Sequence, residues 1–323
     1  MIFGAKIRIA RGMLYFLHSK HVGKHNGPVW EIQWIESDTD NDEMSHNETA
    51  VLNSVSTDGR VIRWTLKKVI ESQDLIVLKS VPKPQNSGKS AAETSSSQSD
   101  SVVARQTGGL CLDFSSAERT TYLVGTENGQ IHKCSTSSCE QYVCTYAAHE
   151  GAINRVRWSP FSADLFVSCS NDWTARLWHQ KHETEIFKFQ SGRDCVTGID
   201  WSPHSSTCFA TVYTDGKPLF HLGRLEVWDL LTSPLDPVIS HSVLDRQISF
   251  VSFARKSPCI VTGDNSGTAT MYKLCMSGPQ KGDDPVGVFS KYASMSKSDA
   301  ETIRWRRDQE LLLMSVLPSK YTH

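Results

Sequence analysis

The sequence predicts an all-β fold built from repeated four-stranded units, and three observations support this prediction. Short segments of alternating apolar and polar residues, each bounded by turn residues, run along most of the 323 residues. A frame of Ser, Asp four residues later and Trp six residues after the Asp recurs along the chain. Hydrophobic residues make up 39% of the chain and include 9 Trp, which is enough apolar surface for a large core.

The recurring frame occurs in two complete copies and three degraded ones. The complete copies are Ser54, Asp58 and Trp64, and Ser168, Asp172 and Trp178. The degraded or interrupted copies are Val124, Asn128 and Cys134, then Thr211, Asp215 and Trp228, then Thr262, Ser266 and Tyr272. Once two insertions are set aside, the copies repeat at roughly 40–45 residues, which is the period of a propeller blade. The sequence therefore predicts an all-β propeller with five recognisable blades.

The third copy shows how each blade divides into four strands. Strand a is predicted over Ile153–Trp158, and strand b follows a Ser-Pro turn over Leu165–Ser170. Strand c is predicted over Thr174–Trp178 after an Asn-Asp turn, and Glu185–Phe189 supplies strand d. In a propeller, four such strands form one antiparallel sheet.

A His in the first and third units completes a set of four polar partners. Each His lies nine residues before the Trp that ends strand a, in the loop that enters the sheet. That loop shares an end of the blade with the b–c turn that carries the Asp, so we expect a buried hydrogen-bonded chain from Trp to Ser to His to Asp. The predicted tetrads are His25, Ser54, Asp58 and Trp64, and His149, Ser168, Asp172 and Trp178. Thr211, Asp215 and Trp228 form a predicted partial tetrad.

The tetrads also invite a catalytic interpretation, because His149, Ser168 and Asp172 are the residue types of a hydrolase triad. The same types recur in the first tetrad, whereas a catalytic site is needed only once. We therefore expect the tetrads to be structural and the chain not to be an enzyme.

Two insertions explain the uneven spacing of the repeats. Residues 82–107 contain prolines and the Ser-rich stretch Ser90–Ser101, which predicts a disordered loop. Residues Pro218–Arg224 interrupt the fourth unit. We expect them to bulge from its b–c turn, because Asp215-Gly216 already forms a two-residue hairpin.

Composition narrows the partners and the compartment. Lys plus Arg total 34 and Asp plus Glu total 35, so a net charge of −1 gives no electrostatic basis for a nucleic-acid or membrane partner. Nine cysteines without framework spacing predict free thiols in a reducing compartment, with the cytoplasm as the default. The apolar run Met13–Leu17 is too short for a membrane span. Five basic residues precede the first acid and loosely resemble a mitochondrial presequence, which is the alternative location.

Three fragments imitate ligand-binding motifs. Ser87–Ser90 ends like a phosphate-binding loop but lacks the first Gly, and no strand precedes it. Asp38, Asp40 and Asp42 alternate like a calcium loop, yet its Gly and its final Glu are absent. Cys134, Cys139 and Cys144 are five residues apart, which is wider than the close pairs of a zinc site. We expect no cofactor, no metal and no small-molecule substrate.

The tetrads, together with Trp228-Asp229 at the close of the fourth unit, resemble WD repeats. A narrower resemblance covers residues 22 to about 275. Five blocks are similar, in the same order, to the propeller of dynein intermediate chains: His25–Trp30, Ser56–Arg60, Leu123–Gly129, Asn171–Thr174 and Ile199–Pro203. Within that family the axonemal branch, and its inner-arm chains in particular, is the most similar.

The resemblance implies a non-catalytic scaffold in the cytoplasm and in the axoneme of a cilium or flagellum. Its implied partners are a dynein heavy chain, the other intermediate chain and light chains. The alternative functions are a generic WD-repeat adaptor or substrate receptor in another complex, and a propeller enzyme. The family usually has a long N-terminal extension and a ring of seven blades. Five recognisable blades therefore predict an incomplete, open arc.

The domain division follows from these observations. Residues 1–21 are predicted to be an N-terminal segment with a stray strand pair, and residues 22–275 to be the propeller. Residues 276–323 form a tail. Ser298–Glu301 in this tail is a capping box, which predicts a helix over residues 299–316.

Overall fold

The computed structural model describes residues 23–35, 51–66, 70–81, 105–215, 222–233, 235–244 and 246–274. The strands in these residues form five antiparallel sheets, each with its strands in chain order. The first sheet contains β1 (Val29–Ile35), β2 (Val51–Ser56), β3 (Arg60–Leu66) and β4 (Ile70–Val77). The second contains β5 (Gly109–Phe114), β6 (Thr121–Thr126), β7 (Ile131–Ser135) and β8 (Cys144–Tyr146).

The other three sheets repeat this arrangement. The third contains β9 (Ile153–Trp158), β10 (Leu165–Ser170), β11 (Ala175–His179) and β12 (Phe187–Phe189). The fourth contains β13 (Cys195–Trp201), β14 (Cys208–Thr214), β15 (Leu222–Asp229) and β16 (Ile239–Leu244). The fifth contains β17 (Ile248–Phe253), β18 (Cys259–Asp264) and β19 (Ala269–Lys273). In the third sheet, strands a and b have the predicted bounds, whereas strand d is shorter than predicted.

Successive sheets pack face to face, and the first strand of each sheet contacts the first strand of the next. One apolar cluster fills each interface. Between the third and fourth sheets, for example, Phe189 of β12 lies edge-on to Phe209 of β14 at 5.0 Å, and Phe209 stacks on Trp228 at 6.2 Å. Successive side chains of a strand point to opposite sides of the sheet. A strand with a large apolar residue at every second position therefore gives the sheet an apolar face.

Glu31 links β1 to the second and third sheets at the point where the first strands meet. Its carboxylate accepts a hydrogen bond from the backbone N–H of Leu112 in β5 at 2.9 Å. It also accepts hydrogen bonds from Arg155 at 2.5 Å and Arg157 at 2.6 Å, both in β9. Burial opposes the ionisation of Glu31, but the two guanidinium groups outweigh it and lower the pKa of the carboxyl. Glu31, Arg155 and Arg157, together with Asp113, are called the axial ion cluster below.

Asp113 in β5 is the second acid of the axial ion cluster. It accepts a hydrogen bond from the backbone N–H of Trp158 at 2.7 Å and lies 3.9 Å from Arg157. Burial raises the pKa of Asp113 to about 6, although Arg157 favours the ionised form. Arg155 also lies over the ring of Phe250 in β17 at 5.8 Å, so the fifth sheet reaches the same centre.

The fourth sheet corrects the predicted bulge over Pro218–Arg224. Leu222, Gly223 and Arg224 belong to β15, where Gly223 pairs with Thr214 and Arg224 with Tyr213. Three of the seven inserted residues therefore belong to strand β15 rather than to a bulge. The connection itself, residues 216–221, lies outside the described residues.

The predicted disordered insert over residues 82–107 also ends earlier than expected. The backbone N–H of Thr107 donates to Leu78 at 3.2 Å, and Ser80 donates to Arg105 at 2.8 Å. Thr107 is buried, so residues 105–107 pack against the first sheet. Several other predictions fall outside the described residues: residues 1–21, the acidic segment 38–42, the Ser-rich stretch 90–101 and the helix 299–316.

Candidate functional site

The first predicted tetrad lies in one hydrogen-bonded chain at the edge of the first sheet. The indole N–H of Trp64 donates to Oγ of Ser54 at 2.8 Å. Ser54 lies 2.7 Å from Nε2 of His25, and Nδ1 of His25 lies 3.1 Å from the carboxylate of Asp58. Asp58 also accepts the backbone N–H of Asn26 at 2.7 Å. The chain therefore ties the loop that enters β1 to the turn between β2 and β3.

The third sheet contains the second tetrad with nearly the same distances. Trp178 donates to Ser168 at 2.9 Å, and Ser168 lies 2.7 Å from Nε2 of His149. Nδ1 of His149 lies 3.0 Å from the Asp172 carboxylate, which also accepts the hydroxyl of Thr174 at 2.6 Å. Both nitrogens of the imidazole are thus engaged, and His149 is only 2% exposed.

Burial and hydrogen bonding shift the pKa values of Asp172 and His149 in this tetrad. Burial opposes the ionisation of Asp172, but the hydrogen bonds from His149 and Thr174 outweigh it and hold the pKa of the carboxyl well below its usual range. Burial lowers the pKa of His149, and Asp172 only partly offsets this effect. At neutral pH the pair therefore consists of an aspartate and a neutral imidazole.

The fourth sheet brings together only part of its predicted tetrad. Trp228 donates to Thr211 at 3.0 Å, as in the complete tetrads. Asp215, in contrast, accepts the backbone N–H of Leu222 at 2.7 Å, on the lengthened hairpin. The position nine residues before the Trp that ends strand a is Gly192 in this sheet, so no imidazole is available there.

Arg224 occupies the space beside Gly192. A Cβ at Gly192 would lie 2.9 Å from Nη2 of Arg224. The guanidinium pairs with Asp194 at 3.2 Å and with Glu226 at 3.1 Å, and it lies over the ring of Tyr213 at 4.7 Å. Here a salt-bridged arginine links the loop that enters β13 to β15. This arrangement was not predicted because Arg224 was assigned to the bulge. The sequence signal for it was Glu226, an acid among the apolar residues of strand β15.

In the first, second, third and fifth sheets, the turn between the second and third strands lies at the same end of the sheet as the loop that enters the first strand. Three of these turns have a glycine with positive φ: Gly59 at 71°, Gly129 at 79° and Gly267 at 83°. In the third sheet the same position is Trp173, with φ of 70°. Its side chain is 42% exposed, whereas Trp158 and Trp178 are at most 6% exposed.

Three of the thiols in the described residues lack the features of reactive cysteines. Cys134, Cys169 and Cys208 are buried, and burial raises the pKa of each to about 12. The described residues contain no group of three or more His, Cys, Asp or Glu placed to hold a metal ion. Nor does any helix in the described part of the chain have the length and hydrophobicity needed to cross a membrane.

Comparisons with known proteins bear on both the fold and the family. Residues 140–179 match the family of the WD domain, G-beta repeat. The match begins before the third sheet and ends with its strand c. Among solved structures, the WD40 β-propeller domain of Doa1 superposes with a TM-score of 0.52 at 13% identity, over 77% of this chain and 66% of Doa1. A chain of the mitotic checkpoint complex gives a TM-score of 0.53 at 15% identity, over 80% and 66%.

The curated relatives are dynein intermediate chains. Dynein axonemal intermediate chain 4 of Rattus norvegicus is 38% identical over 78% of this chain and 30% of its own length. The Homo sapiens protein of the same name is 36% identical over 78% of this chain and 28% of its length. Ciliary dynein intermediate chain 2 of Heliocidaris crassispina is 33% identical over 80% and 34%. This chain thus spans about a third of the length of these relatives.

Both the predicted fold class and the predicted resemblance are confirmed by these findings. The described residues are all-β and form four four-stranded sheets and one three-stranded sheet, with WD40 propellers as structural neighbours. The relatives found by sequence are dynein intermediate chains, the family that the five sequence blocks resemble. The number of blades in the complete ring stays a prediction. The chain is thus a WD-repeat β-propeller protein related in sequence to the dynein axonemal intermediate chains.

Proposed function

We propose that this chain is a non-catalytic scaffold subunit of an axonemal dynein arm. In this proposal the propeller binds a dynein heavy chain and helps to assemble or regulate the motor for ciliary or flagellar movement. The observation that carries the proposal is the 38% identity to an axonemal intermediate chain, which extends over 78% of this chain and so includes most of the propeller. The other intermediate chain and the light chains complete the proposed set of partners.

The geometry of the described residues supports a docking role. The first, second, third and fifth sheets contribute turns between their second and third strands to the same edge, and backbone hydrogen bonds and polar side chains hold these turns in place. A rigid, broad edge of this kind suits stable interfaces, which bury roughly 1,200–2,000 Å². In the complete tetrads we propose a structural role, since both ring nitrogens of each His are hydrogen-bonded within the fold.

The proposed location follows from the same relatives, whose names are axonemal, ciliary and flagellar. We place the chain in the cytoplasm and in the axoneme of a cilium or flagellum. We also retain the open arc as a proposal. Val29, Trp30 and Ile32 of β1 are 45%, 53% and 58% exposed, which supports a first sheet with a bare face.

Reconstitution with purified subunits tests the proposed function. The chain is co-expressed with the N-terminal tail of an axonemal dynein heavy chain, and in parallel with subunits of a ubiquitin ligase. Stoichiometric co-purification with the heavy-chain tail is expected. Co-purification with the ligase subunits alone would favour the alternative, a WD-repeat substrate receptor, and would contradict the dynein assignment.

A further inference from the structure

Trp173 occupies a backbone position that disfavours its side chain. Its φ of 70° lies in the left-handed region, where a side chain collides with its own backbone and glycine is favoured. The equivalent turns have Gly59, Gly129 and Gly267 there, with φ between 71° and 83°. The turn itself therefore gains nothing from a bulky residue. A strained residue held in place by the surrounding structure is a recognised sign of a functional position.

The indole of Trp173 also contributes little to the core. It is 42% exposed, while Trp178, in the next strand of the same sheet, is fully buried. Tryptophan is enriched among the residues that dominate binding energy in protein interfaces. A strained, exposed Trp at the tip of a rigid turn therefore has the properties of an anchor for a partner.

The surroundings of the turn indicate what kind of partner segment fits. The loop at His149–Gly151 lies beside it, because the backbone N–H of Glu150 donates to Asp172 at 3.2 Å. This loop also touches the turn of the second sheet, since a Cβ at Gly129 would lie 2.2 Å from the carbonyl oxygen of His149. Glu150 is exposed in this loop, and Glu127 is exposed in the turn of the second sheet, where its carboxylate accepts the backbone N–H of Gly108 at 3.0 Å.

The opposite side of the turn has a different charge pattern. The segment Arg193–Val196 approaches Asn171, whose side-chain oxygen accepts a hydrogen bond from Asn154 at 2.7 Å, while Asn154 also donates to Val196 at 2.7 Å. Arg193 is exposed there, and Asp194 is paired with Arg224. The acidic side of the indole is therefore the side of the second sheet, and the basic side is that of the fourth.

We infer that the edge around Trp173 is the docking face of this propeller, and that it binds a segment with an apolar side chain and adjacent lysine or arginine residues. The apolar side chain covers the indole, and the basic residues lie towards Glu127 and Glu150. The inference rests on the proposed function in one respect: it assigns this segment to the tail of the dynein heavy chain. It deepens that function by naming the face and the residue that make the contact.

Two substitutions of Trp173 separate binding from folding. Trp173→Ala removes the indole but keeps a Cβ at positive φ, and Trp173→Gly removes both the indole and the strain. We expect both variants to bind the heavy-chain tail about 30-fold or more weakly, as for an interface anchor. Trp173→Gly should also melt at a higher temperature than Trp173→Ala, by about 1–2 °C.

Phe161→Ser is the matched control, because Phe161 is an exposed aromatic in the turn between the first two strands of the same sheet, at the opposite edge. It should bind the heavy-chain tail like the wild type. Glu127→Gln keeps an oxygen that can accept the backbone N–H of Gly108 and should weaken the salt dependence of binding. Affinities are measured by calorimetry with purified heavy-chain tail.

The outcomes distinguish this inference from the proposed function. If the wild-type chain does not bind the heavy-chain tail, the proposed function and this assignment both fail. If the wild type binds but both Trp173 variants bind equally well, the scaffold function stands and the docking face is wrong. Loss of binding in Phe161→Ser alone would move the interface to the opposite edge. A Trp173→Gly variant less stable than Trp173→Ala would show that the turn does not disfavour a side chain.

Discussion

Replacing Asp172 by Ala tests whether the tetrad of the third sheet stabilises the fold. The carboxylate accepts hydrogen bonds from Nδ1 of His149 at 3.0 Å, and from the hydroxyl and the backbone N–H of Thr174 at 2.6 and 3.1 Å. It also accepts the exposed backbone N–H of Glu150, which water can satisfy after the substitution. A buried donor without a partner costs about 1–3 kcal/mol. The Thr174 hydroxyl can reorient and lies 3.2 Å from Nδ1 of His149, so about one buried donor loses its partner. We therefore expect Asp172→Ala to lower the free energy of unfolding by about 1–3 kcal/mol.

A double-mutant cycle with His149→Ala measures the coupling within the tetrad. Each single variant breaks the same His149–Asp172 contact, so the double variant should lose less stability than the sum of the two, by about 1 kcal/mol or more. The assay is urea unfolding followed by circular dichroism at pH 7. Asp236→Ala is the control, because Asp236 is an exposed aspartate in the loop between β15 and β16. This substitution should change the free energy of unfolding by less than about 0.5 kcal/mol. Additive losses in the cycle would refute the tetrad as a cooperative unit.

Three further predictions concern other parts of the fold. Glu31→Ala leaves two buried guanidinium groups without their carboxylate and should cost about 3–5 kcal/mol in urea unfolding; a loss below about 1 kcal/mol would mean that the axial ion cluster does not hold the first sheet. Gly129→Ala should destabilise the chain far more than Gly267→Ala in thermal melts. Both glycines have positive φ, but an added Cβ would meet a backbone oxygen at 2.2 Å only at Gly129, while nothing lies within 4 Å at Gly267; equal losses would contradict the packing of that turn. Asp113 has a folded-state pKa of about 6, above its unfolded value, so its contribution to stability is present at low pH and is lost as pH rises from about 4 to 6. The unfolding free energy of the wild type minus that of Asp113→Asn, from urea unfolding at several pH values, should fall over this range; a constant difference would contradict the raised pKa.

The sequence predicted those parts of the molecule that depend on local pattern. Strands β9 and β10 have the predicted bounds, because alternation and a Ser-Pro turn define them within a few residues of each other. The residues of both complete tetrads come together because a fixed spacing on consecutive strands of a hairpin fixes which side chains share a face. His25 and His149 could be placed because their loops enter the same end of the sheet.

The parts that depend on contacts between distant segments could not be predicted in this way. Glu31 meets Arg155 and Arg157 across more than a hundred residues, and no local pattern indicates that three first strands converge. The start of β15 was mispredicted because Asp215-Gly216 was taken as a complete two-residue hairpin, whereas pairing with both β14 and β16 favours a longer strand. The positive φ of Trp173 was not predicted from the sequence. The repeat frame does place Trp173 where the other turns have Gly59, Gly129 and Gly267, but only the structure shows that this position has a positive φ.

The arginine that replaces an imidazole in the fourth sheet has a consequence for how such chains diverge. Arg224 with Asp194 and Glu226 connects the loop that enters the fourth sheet to its third strand, whereas His149 and Asp172 connect the equivalent loop of the third sheet to the turn before that strand. The hydrogen bonds or salt bridges that join the entering loop to the rest of the blade can therefore change in one blade while those of its neighbours are kept. Recognition of repeats by residue identity then underestimates blade number, as the match to residues 140–179 alone illustrates. A search for divergent members is better guided by which loop and which hairpin must be joined than by the letters of the motif.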